Sequence, residues 1–371
     1  MKTLKKISFF LPNFNIGGVE KSFINMANHF EKKGFKVEIC FIEDDGGLAT
    51  KISNKVSKKQ FKSKKLIALL FELRSYFKRD STDIFVTPMY MIGLTVVLSK
   101  LFIKNPPKII IGARSNLTKV IFNSENIFER IILRKFSSLI FNRADKVICV
   151  SKGIESDLIE NFQIKKENVL TIYNGILNEN YYSEFSIPKF NWYQDNKIQK
   201  IITISRLSKE KCIDGIIRAF YQASNSNQMI RMLIIGEGPE RENLFKLIKE
   251  LNLEDKIKII NFNEEYLSFL SHSDLFILNS DFEGLPGILI EATALCKRVI
   301  SRDCESGPKE ILYEESLGKL YSHSKDLPDL ILNELNKNVF KKNIDKSFYK
   351  KFSFDYSMEN YLSTFNDLMD I

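Results

Sequence analysis

The segment 281–292 (DFEGLPGILIEA) places two carboxylates, Glu283 and Glu291, eight positions apart. Pro286 suits the first position of a helix, where its missing N–H costs nothing. Glu283 is then expected in the loop before that helix, and Glu291 just past its first turn. Gly284 and Leu285 lie in the same loop, next to the backbone N–H groups that favour an anion at a helix start. This arrangement suits a ligand with a diphosphate between two hydroxyl-bearing sugars, such as a nucleotide sugar.

Two cations follow a predicted strand in the segment 205–215 (SRLSKEKCIDG). Arg206 is expected at the end of the strand, and Lys211 at the opening of the next helix. Two cations that converge there would hold a diphosphate and stabilise it as a leaving group. The alternative is a pair of ordinary surface cations, which is the better interpretation of either residue in isolation.

Two glycine loops also follow predicted strands. Gly17 and Gly18 stand between the first strand and the first helix, where glycine lets the backbone approach a ligand closely. A tight turn without a ligand is an equally good interpretation, and the loop lacks the spacing of a dinucleotide fingerprint. Gly236 lies in a turn before a helix expected to begin near Pro239. It could border a binding cleft, although a structural need alone would explain it.

Ser306 and Gly307 form a third loop, just before a helix expected to open at Pro308. This loop should lie beside the Glu283–Glu291 segment, so a contact with the transferred sugar is one interpretation. A plain helix cap is the other.

Strand-like and helix-like segments alternate along the whole chain, which predicts an α/β fold with parallel sheets covered on both faces. A first series of strands runs from Lys6–Leu11 to Asn168–Ile172, and a second runs from Lys200–Ile204 to Arg298–Ser301. The sequence therefore predicts two similar domains, at 1–172 and 200–350, joined by a linker at 173–199. Residues 351–371 are predicted to be a C-terminal helix that crosses back to the first domain.

Charge is distributed unevenly between the two predicted domains. Residues 1–172 carry a net charge of +14, and residues 173–371 carry −5. Seven lysines fall within residues 51–65: Lys51, Lys55, Lys58, Lys59, Lys62, Lys64 and Lys65. A solvated loop explains this run as well as a functional patch does. If the run is functional, an anionic membrane surface is favoured over nucleic acid, because it has little aromatic interleaving and no nucleic-acid motif.

Several classes of chemistry are disfavoured by composition. The chain has five cysteines without a CxxC pair, which favours buried free thiols and a reducing cytoplasm. Its three histidines have no partners in a triad pattern, and no metal-ligand spacing is present, so neither a metal nor a cofactor is expected. The lysine-rich N-terminus precedes a short apolar run that reads as a buried strand, and no signal peptide or bilayer-spanning run is expected.

Together these motifs resemble the large retaining glycosyltransferase family 4, which has the GT-B fold. The resemblance covers most of the chain in the expected order. Gly-Gly-x-Glu stands at Gly17, Gly18 and Glu20, and the two later motifs are Arg206-Leu-(x)3-Lys211 and Glu283-(x)7-Glu291. The GT-B fold implies two Rossmann-like domains whose parallel sheets face a central cleft.

The resemblance implies a role for each motif. Arg206 and Lys211 would hold the donor diphosphate, Glu291 would bind the ribose hydroxyls, and Glu283 would contact the transferred sugar. The Gly17-Gly18 loop would close over the phosphates. The donor is expected to be a UDP-sugar, and no dedicated protein base is needed, because the leaving diphosphate would accept the proton of the acceptor hydroxyl on the same face.

One position departs from the family pattern. Many members carry a histidine after the strand that corresponds to Lys108–Gly112, where this chain has Arg114. Arg114 would instead contact the acceptor or a phosphate. A narrower resemblance of the segment 304–311 is to members that build bacterial capsule, O-antigen or lipopolysaccharide on a lipid carrier. It implies a lipid-linked glycan acceptor and a cytoplasmic enzyme peripheral to the cell membrane.

Two alternatives to an active enzyme remain at the level of the sequence. A non-catalytic subunit of a polysaccharide-assembly complex is compatible with the missing histidine, although Arg206, Lys211, Glu283 and Glu291 argue against it. A nucleic-acid-binding protein is suggested only by the charge, and no nucleic-acid partner is expected.

Overall fold

The computed structural model describes residues 5–15, 17–80, 82–88, 90–178, 181, 185–296, 298–337 and 346–369. The chain divides into two compact units. The first consists of Met1–Asn174 and Asp355–Ile371, and the second of Gly175–Phe354.

The first unit is built on a seven-stranded parallel sheet. Its strands are β1 (Lys6–Leu11), β2 (Lys36–Phe41), β3 (Ser57–Gln60), β4 (Ile84–Thr87), β5 (Lys108–Ala113), β6 (Lys146–Cys149) and β7 (Val169–Thr171), in the order β3-β2-β1-β4-β5-β6-β7. The helices are α1 (Gly18–Lys32), α2 (Leu66–Arg79), α3 (Tyr90–Lys100), α4 (Leu117–Asn123), α5 (Ile127–Phe141) and α6 (Lys152–Phe162). From β1 the chain adds strands on one side as far as β3, and from β4 it adds them on the other side as far as β7, as in a doubly wound sheet.

The second unit contains a six-stranded parallel sheet of the same kind. Its strands are β8 (Gln199–Ile204), β9 (Ile230–Ile235), β10 (Ile257–Ile260), β11 (Leu275–Leu278), β12 (Val299–Arg302) and β13 (Lys319–Tyr321), in the order β10-β9-β8-β11-β12-β13. The helices from α7 onward are α7 (Asn191–Gln194), α8 (Ile213–Ser226), α9 (Arg241–Glu250), α10 (Tyr266–Ser271), α11 (Gly287–Leu295), α12 (Pro308–Ile311), α13 (Leu327–Asn336), α14 (Lys346–Lys351) and α15 (Phe354–Met369). Most of α15 belongs to the first unit, where Phe365 packs on Phe30 with 4.9 Å between ring centroids.

The strands are apolar because both faces of each sheet are covered. The core strands β1, β4, β8 and β11 are buried along almost their whole length, which is typical of parallel sheets between helices. The prediction of an α/β fold with two Rossmann-like units is therefore confirmed. No helix in the described ranges combines the length and the apolar character needed to cross a bilayer.

Several local predictions were wrong by a few residues. Lys211 does not open a helix; it ends a 3-10 turn at Lys209–Lys211, and α8 begins after Cys212, which adopts a left-handed conformation. Pro286 is the N-cap of α11, not its first residue, and α9 begins two residues after Pro239.

The lysine-rich run is not simply a loop. Its middle forms β3, an exposed edge strand that pairs only with β2 in the described sheet. Lysines on an edge strand discourage pairing with another chain, which gives Lys58 and Lys59 a structural reason. Lys64 forms an ion pair with Glu43, and Lys55 forms a weaker one with Glu31 at 3.9 Å.

Candidate functional site

The loop before α11 holds the first carboxylate of the 281–292 segment. Glu283 is nearly buried, with 11% of its side chain exposed. Its Oε1 atom accepts a hydrogen bond of 2.6 Å from the Ser280 hydroxyl, which follows β11. The same oxygen accepts one of 2.7 Å from Lys211 Nζ. The 3-10 turn after β8 and the loop after β11 therefore place a cation against Glu283.

Backbone and side-chain contacts hold these two loops together. The Asp281 N–H donates to the Glu210 carbonyl at 2.8 Å. The side-chain Nδ2 of Asn279 donates to the Cys212 carbonyl, also at 2.8 Å, and the Tyr321 hydroxyl donates to Oδ1 of Asn279 at 2.5 Å. The ion pair between Lys211 and Glu283 is thus held by the ends of adjacent strands and does not depend on two mobile side chains.

Arg206 stands at the same edge of the sheet in a different state. It directly follows the Ser205 position at the end of β8, and its side chain is exposed. Its guanidinium makes no hydrogen bond or ion pair with any described residue. This exposed guanidinium follows β8, the strand next to β11, and remains available for an anion.

Glu291, the second carboxylate, is the fifth residue of α11 and is 8% exposed. Its Oε1 atom accepts hydrogen bonds from the hydroxyls of Tyr181 at 2.5 Å and Tyr266 at 2.9 Å. Burial raises the pKa of both tyrosines far above the usual value, and the charge of Glu291 adds to the effect. Both phenols therefore stay protonated and act as donors.

The 306–307 loop lies against the Glu283 loop, as predicted. A Cβ added to Gly307 would lie 2.7 Å from Pro286 Cδ and 2.9 Å from the Gly284 carbonyl oxygen. Gly307 is the N-cap of α12 with φ of +89°, and Pro308 opens that helix, so this part of the prediction is confirmed. The Ser306 side chain makes no capping bond, and its buried hydroxyl has no partner among the described residues.

Gly236 has a structural reason that needs no ligand. A Cβ at this position would lie 1.9 Å from the Ser205 carbonyl oxygen, and one at Gly238 would lie 2.3 Å from the Leu207 carbonyl oxygen. The backbone after β9 therefore packs directly on the backbone after β8, which only glycine permits. Packing alone therefore requires a glycine at position 236.

Gly17 and Gly18 stand at the beginning of α1 in the first unit. Gly17 is the N-cap without a side-chain cap, and Gly18 is the first helical residue. Nothing lies within 4 Å of a Cβ added to Gly18, and the nearest neighbour at Gly17 is the flexible carboxylate of Glu20. Packing within the described residues therefore does not explain these glycines.

Arg114 follows β5 in the same unit. Its guanidinium lies over the ring of Phe23, 5.1 Å from the centroid, and Nη1 donates to the Asn174 side-chain oxygen. Its Nε and Nη2 atoms are buried, yet they have no hydrogen-bond partner among the described residues. The buried Thr87 hydroxyl, at the end of the neighbouring strand β4, also lacks one in that part of the chain.

Two thiols lie near the charged loops of the second unit. Burial raises the pKa of Cys304 to about 12, and the nearby Glu283 carboxylate adds to the effect. Burial raises the pKa of Cys212 to about 12, and the nearby Asp281 carboxylate adds to the effect. Both thiols are therefore protonated near neutral pH. In the described ranges, no three His, Cys, Asp or Glu side chains group as metal ligands would.

The structure thus brings Lys211, Glu283, Gly284, Leu285, Pro286, Ser306 and Gly307 together in one region of the second unit, and Glu291 follows on α11. Sequence reasoning missed Tyr181, Tyr266, Ser280 and Asn279. Tyr181 falls within the predicted linker, and Tyr266 lies at the start of a short helix, so neither belongs to a motif that spacing alone would reveal.

Two family models match successive parts of this chain. The model described as Glycosyltransferase Family 4 matches residues 16–178, and the model described as Glycosyl transferases group 1 matches residues 184–350. The two models together cover most of both units and include all the motifs described above.

Individual proteins are also similar to this chain, two in sequence and one in fold. The amylovoran biosynthesis glycosyltransferase AmsD of Erwinia amylovora is 24% identical over 361 residues, which cover 96% of this chain and 97% of that protein. The N-acetylgalactosamine-N,N'-diacetylbacillosaminyl-diphospho-undecaprenol 4-alpha-N-acetylgalactosaminyltransferase of Campylobacter jejuni is 29% identical over 230 residues, which cover 59% of this chain and 61% of that protein. The crystal structure of Anabaena HepE in complex with UDP and glucose superposes with a TM-score of 0.81 at 16% identity, covering 98% of this chain and 100% of that one.

Proposed function

We propose that this chain, which belongs to glycosyltransferase family 4 and has the GT-B fold, is an active retaining enzyme that transfers a sugar from a UDP-sugar to a glycan acceptor. The Lys211–Glu283 ion pair supports the proposal, because it holds a cation and a carboxylate side by side just before α11. Arg206, exposed and without a partner among the described residues, would add a second positive charge for the donor diphosphate.

The donor would be bound through its two polar ends and its charged centre. The diphosphate would lie between Arg206 and Lys211, close to the positive end of α11. Glu291 would accept hydrogen bonds from the ribose hydroxyls in place of one tyrosine. Glu283 would accept from a hydroxyl of the transferred sugar, while Gly17 and Gly18 would let backbone N–H groups approach the phosphates.

Transfer would need no metal, since two cations already balance the leaving diphosphate. The acceptor hydroxyl oxygen forms a bond with the anomeric carbon, and the bond from that carbon to the phosphate oxygen breaks. The departing phosphate oxygen takes the acceptor proton on the same face, so the anomeric configuration is retained. Lys211 and Arg206 stabilise the negative charge as it develops on the diphosphate.

The acceptor is proposed to be a glycan on a lipid diphosphate carrier at the cytoplasmic face of the membrane, in the assembly of capsule, O-antigen or lipopolysaccharide. The name of the Campylobacter jejuni relative includes a diphospho-undecaprenol carrier, and AmsD is named for amylovoran biosynthesis. Arg114 offers Nε and Nη2 along one edge of its guanidinium, which is the geometry that pairs with a two-oxygen anion. We therefore assign it to a phosphate or another anionic group of the substrate.

Thermal unfolding with nucleotides tests the donor site. UDP at ~100 times its dissociation constant should stabilise the native protein by about 2.7 kcal/mol. The same addition should not stabilise Glu291→Ala, and GDP should have a smaller effect on the wild type. A folded wild-type protein that responds to no nucleotide would argue for the non-catalytic subunit instead.

A further inference from the structure

Helices α4 and α5 expose an unusual number of large apolar side chains. The α4–α5 apolar surface consists of seven exposed residues: Phe122, Ile127, Phe128, Ile131, Ile132, Phe136 and Leu139. Phe122 and Phe128 are 75% and 74% exposed. Single exposed apolar residues are normal on a protein, but a contiguous group marks a surface that binds something.

The exposed residues form a second apolar face on a helix that is already packed. The inner face of α5 is buried through Leu133, Ile140 and Phe141, and Phe141 contacts Tyr90 of α3 with 5.7 Å between ring centroids. A helix packed in this way normally presents a polar outer face. Phe128 and Ile131 instead lie one turn apart on the outside, so the core does not explain them.

Cations border this surface. Residues 117–143 contain five basic and two acidic side chains, and Arg130, Arg134 and Lys135 are all exposed on α5. Of the two acidic residues, Glu129 accepts a hydrogen bond from Ser124 at 3.0 Å. A helix with large apolar residues beside lysines and arginines is typical of one that lies in the interface of an anionic membrane.

We propose that the α4–α5 apolar surface docks the protein on an anionic lipid bilayer. The charge favours a bilayer over a second copy of the chain, because self-association through this face would bring Arg130 and Arg134 of two copies together. This inference rests on the proposed function, which includes an anionic membrane surface as a partner. It assigns membrane binding to α4 and α5 and not to the lysine run at residues 51–65. The lysines of β3 are explained by the exposed sheet edge alone.

The location of the surface fits the use of a lipid-linked substrate. Helix α4 begins at Leu117, three residues after Arg114, and its N-cap Asn116 accepts a hydrogen bond from the Lys119 N–H. The loop that holds Arg114 therefore continues directly into the docking helices. A carrier lipid in the docked bilayer would have its head group near that loop.

Flotation with vesicles tests the inference without any enzymatic turnover. The wild-type chain should float with vesicles of phosphatidylcholine and phosphatidylglycerol, and much less with phosphatidylcholine alone. Phe128→Ser combined with Ile131→Ser should lower the partition coefficient by about a hundredfold, or about tenfold for each side chain. Phe245→Ser, at an exposed phenylalanine on α9 of the second unit, is the matched control and should float like the wild type.

Charge variants separate the two candidate patches. Arg130→Gln with Arg134→Gln should weaken binding to the anionic vesicles, whereas Lys58→Gln with Lys59→Gln should not. The inference is overturned if the wild type does not float, if the serine variant floats unchanged, or if the serine substitutions instead abolish a concentration-dependent dimer in sedimentation. Because nucleotide binding is measured separately, failure here leaves the donor site untouched, and failure of the donor site leaves this result untouched.

Discussion

Replacing Tyr181 by phenylalanine should make the protein bind UDP more tightly. Tyr181 and Tyr266 both donate to Oε1 of Glu291, which fills the two acceptor positions of that oxygen. A ribose that engages the carboxylate through two adjacent hydroxyls has to displace one of them. Tyr181 is the less buried of the two, so we expect its hydroxyl to leave. Tyr181→Phe removes that hydroxyl and keeps the ring.

The size of the effect follows from the hydrogen bond that is lost. A hydrogen bond to a charged group contributes about 1.5–3 kcal/mol net, and one between neutral groups contributes about 1 kcal/mol. Because two donors share Oε1, each bond is weaker than a sole bond to a charged group, so we take about 1–1.4 kcal/mol as the cost of displacement. The dissociation constant of UDP should then fall about five- to tenfold in the variant. The free energy of unfolding of the unliganded protein should fall by a similar ~1 kcal/mol.

Isothermal titration calorimetry measures the dissociation constant of UDP directly, with Tyr266→Phe as the comparison variant. The gain in Tyr181→Phe should vanish with a UDP analogue that lacks the ribose 2′- and 3′-hydroxyls, since no displacement is then needed. Weaker binding of UDP by Tyr181→Phe would refute the reasoning. It would mean that the tyrosine orients Glu291 for the ribose and does not compete with it.

Three further outcomes are expected from substitutions and thiol chemistry. Gly236→Ala should lower the free energy of unfolding by at least ~2 kcal/mol, because the added Cβ meets a backbone oxygen. Gly18→Ala should leave the free energy of unfolding unchanged and reduce turnover. Equal losses of stability for the two variants in denaturant titrations would contradict this contrast. Lys211→Met should lower kcat about 10²–10³-fold. Lys209→Met, which changes an exposed lysine in the same 3-10 turn, should leave kcat unchanged. An equal fall of kcat in both variants would count against a role for Lys211 at the leaving group. Burial raises the pKa of Cys304 to about 12, so its alkylation near neutral pH should be about a thousandfold slower than that of an unperturbed thiol until the protein unfolds. Rapid labelling of Cys304 in the native state would contradict its burial.

The architecture was readable from the sequence because it depends on repeated patterns. Most of the buried parallel strands are short apolar runs followed by a helix, so the two series predicted two parallel sheets. The resemblance of the motifs to the family then implied the GT-B fold. The structure and the family confirm that fold. Short strands with few apolar residues escaped: β3 is made of SKKQ and β13 of KLY, and only their pairing with β2 and β12 reveals them.

The site was readable only where it coincides with a motif. Glu283 and Glu291 could be placed relative to a helix because proline and glycine fix its beginning within a residue. The 3-10 turn that carries Lys211 could not be predicted. It ends at Cys212 in a left-handed conformation, which sequence patterns lead one to expect at glycine or asparagine and not at cysteine. The tyrosines on Glu291 come from segments about 25 and 110 positions away, and only the folded chain brings them together.

Transfer of a sugar is the most direct test of the proposed function. The purified chain would be incubated with a lipid-diphosphate-linked glycan and with each of a panel of UDP- and GDP-sugars, and the glycan would be analysed by mass spectrometry. The account predicts a product heavier by one sugar residue with a UDP-sugar, formed with retention of configuration and lost in Lys211→Met. A protein that binds UDP but yields no product with any donor would contradict the assignment of an active transferase and favour the non-catalytic subunit.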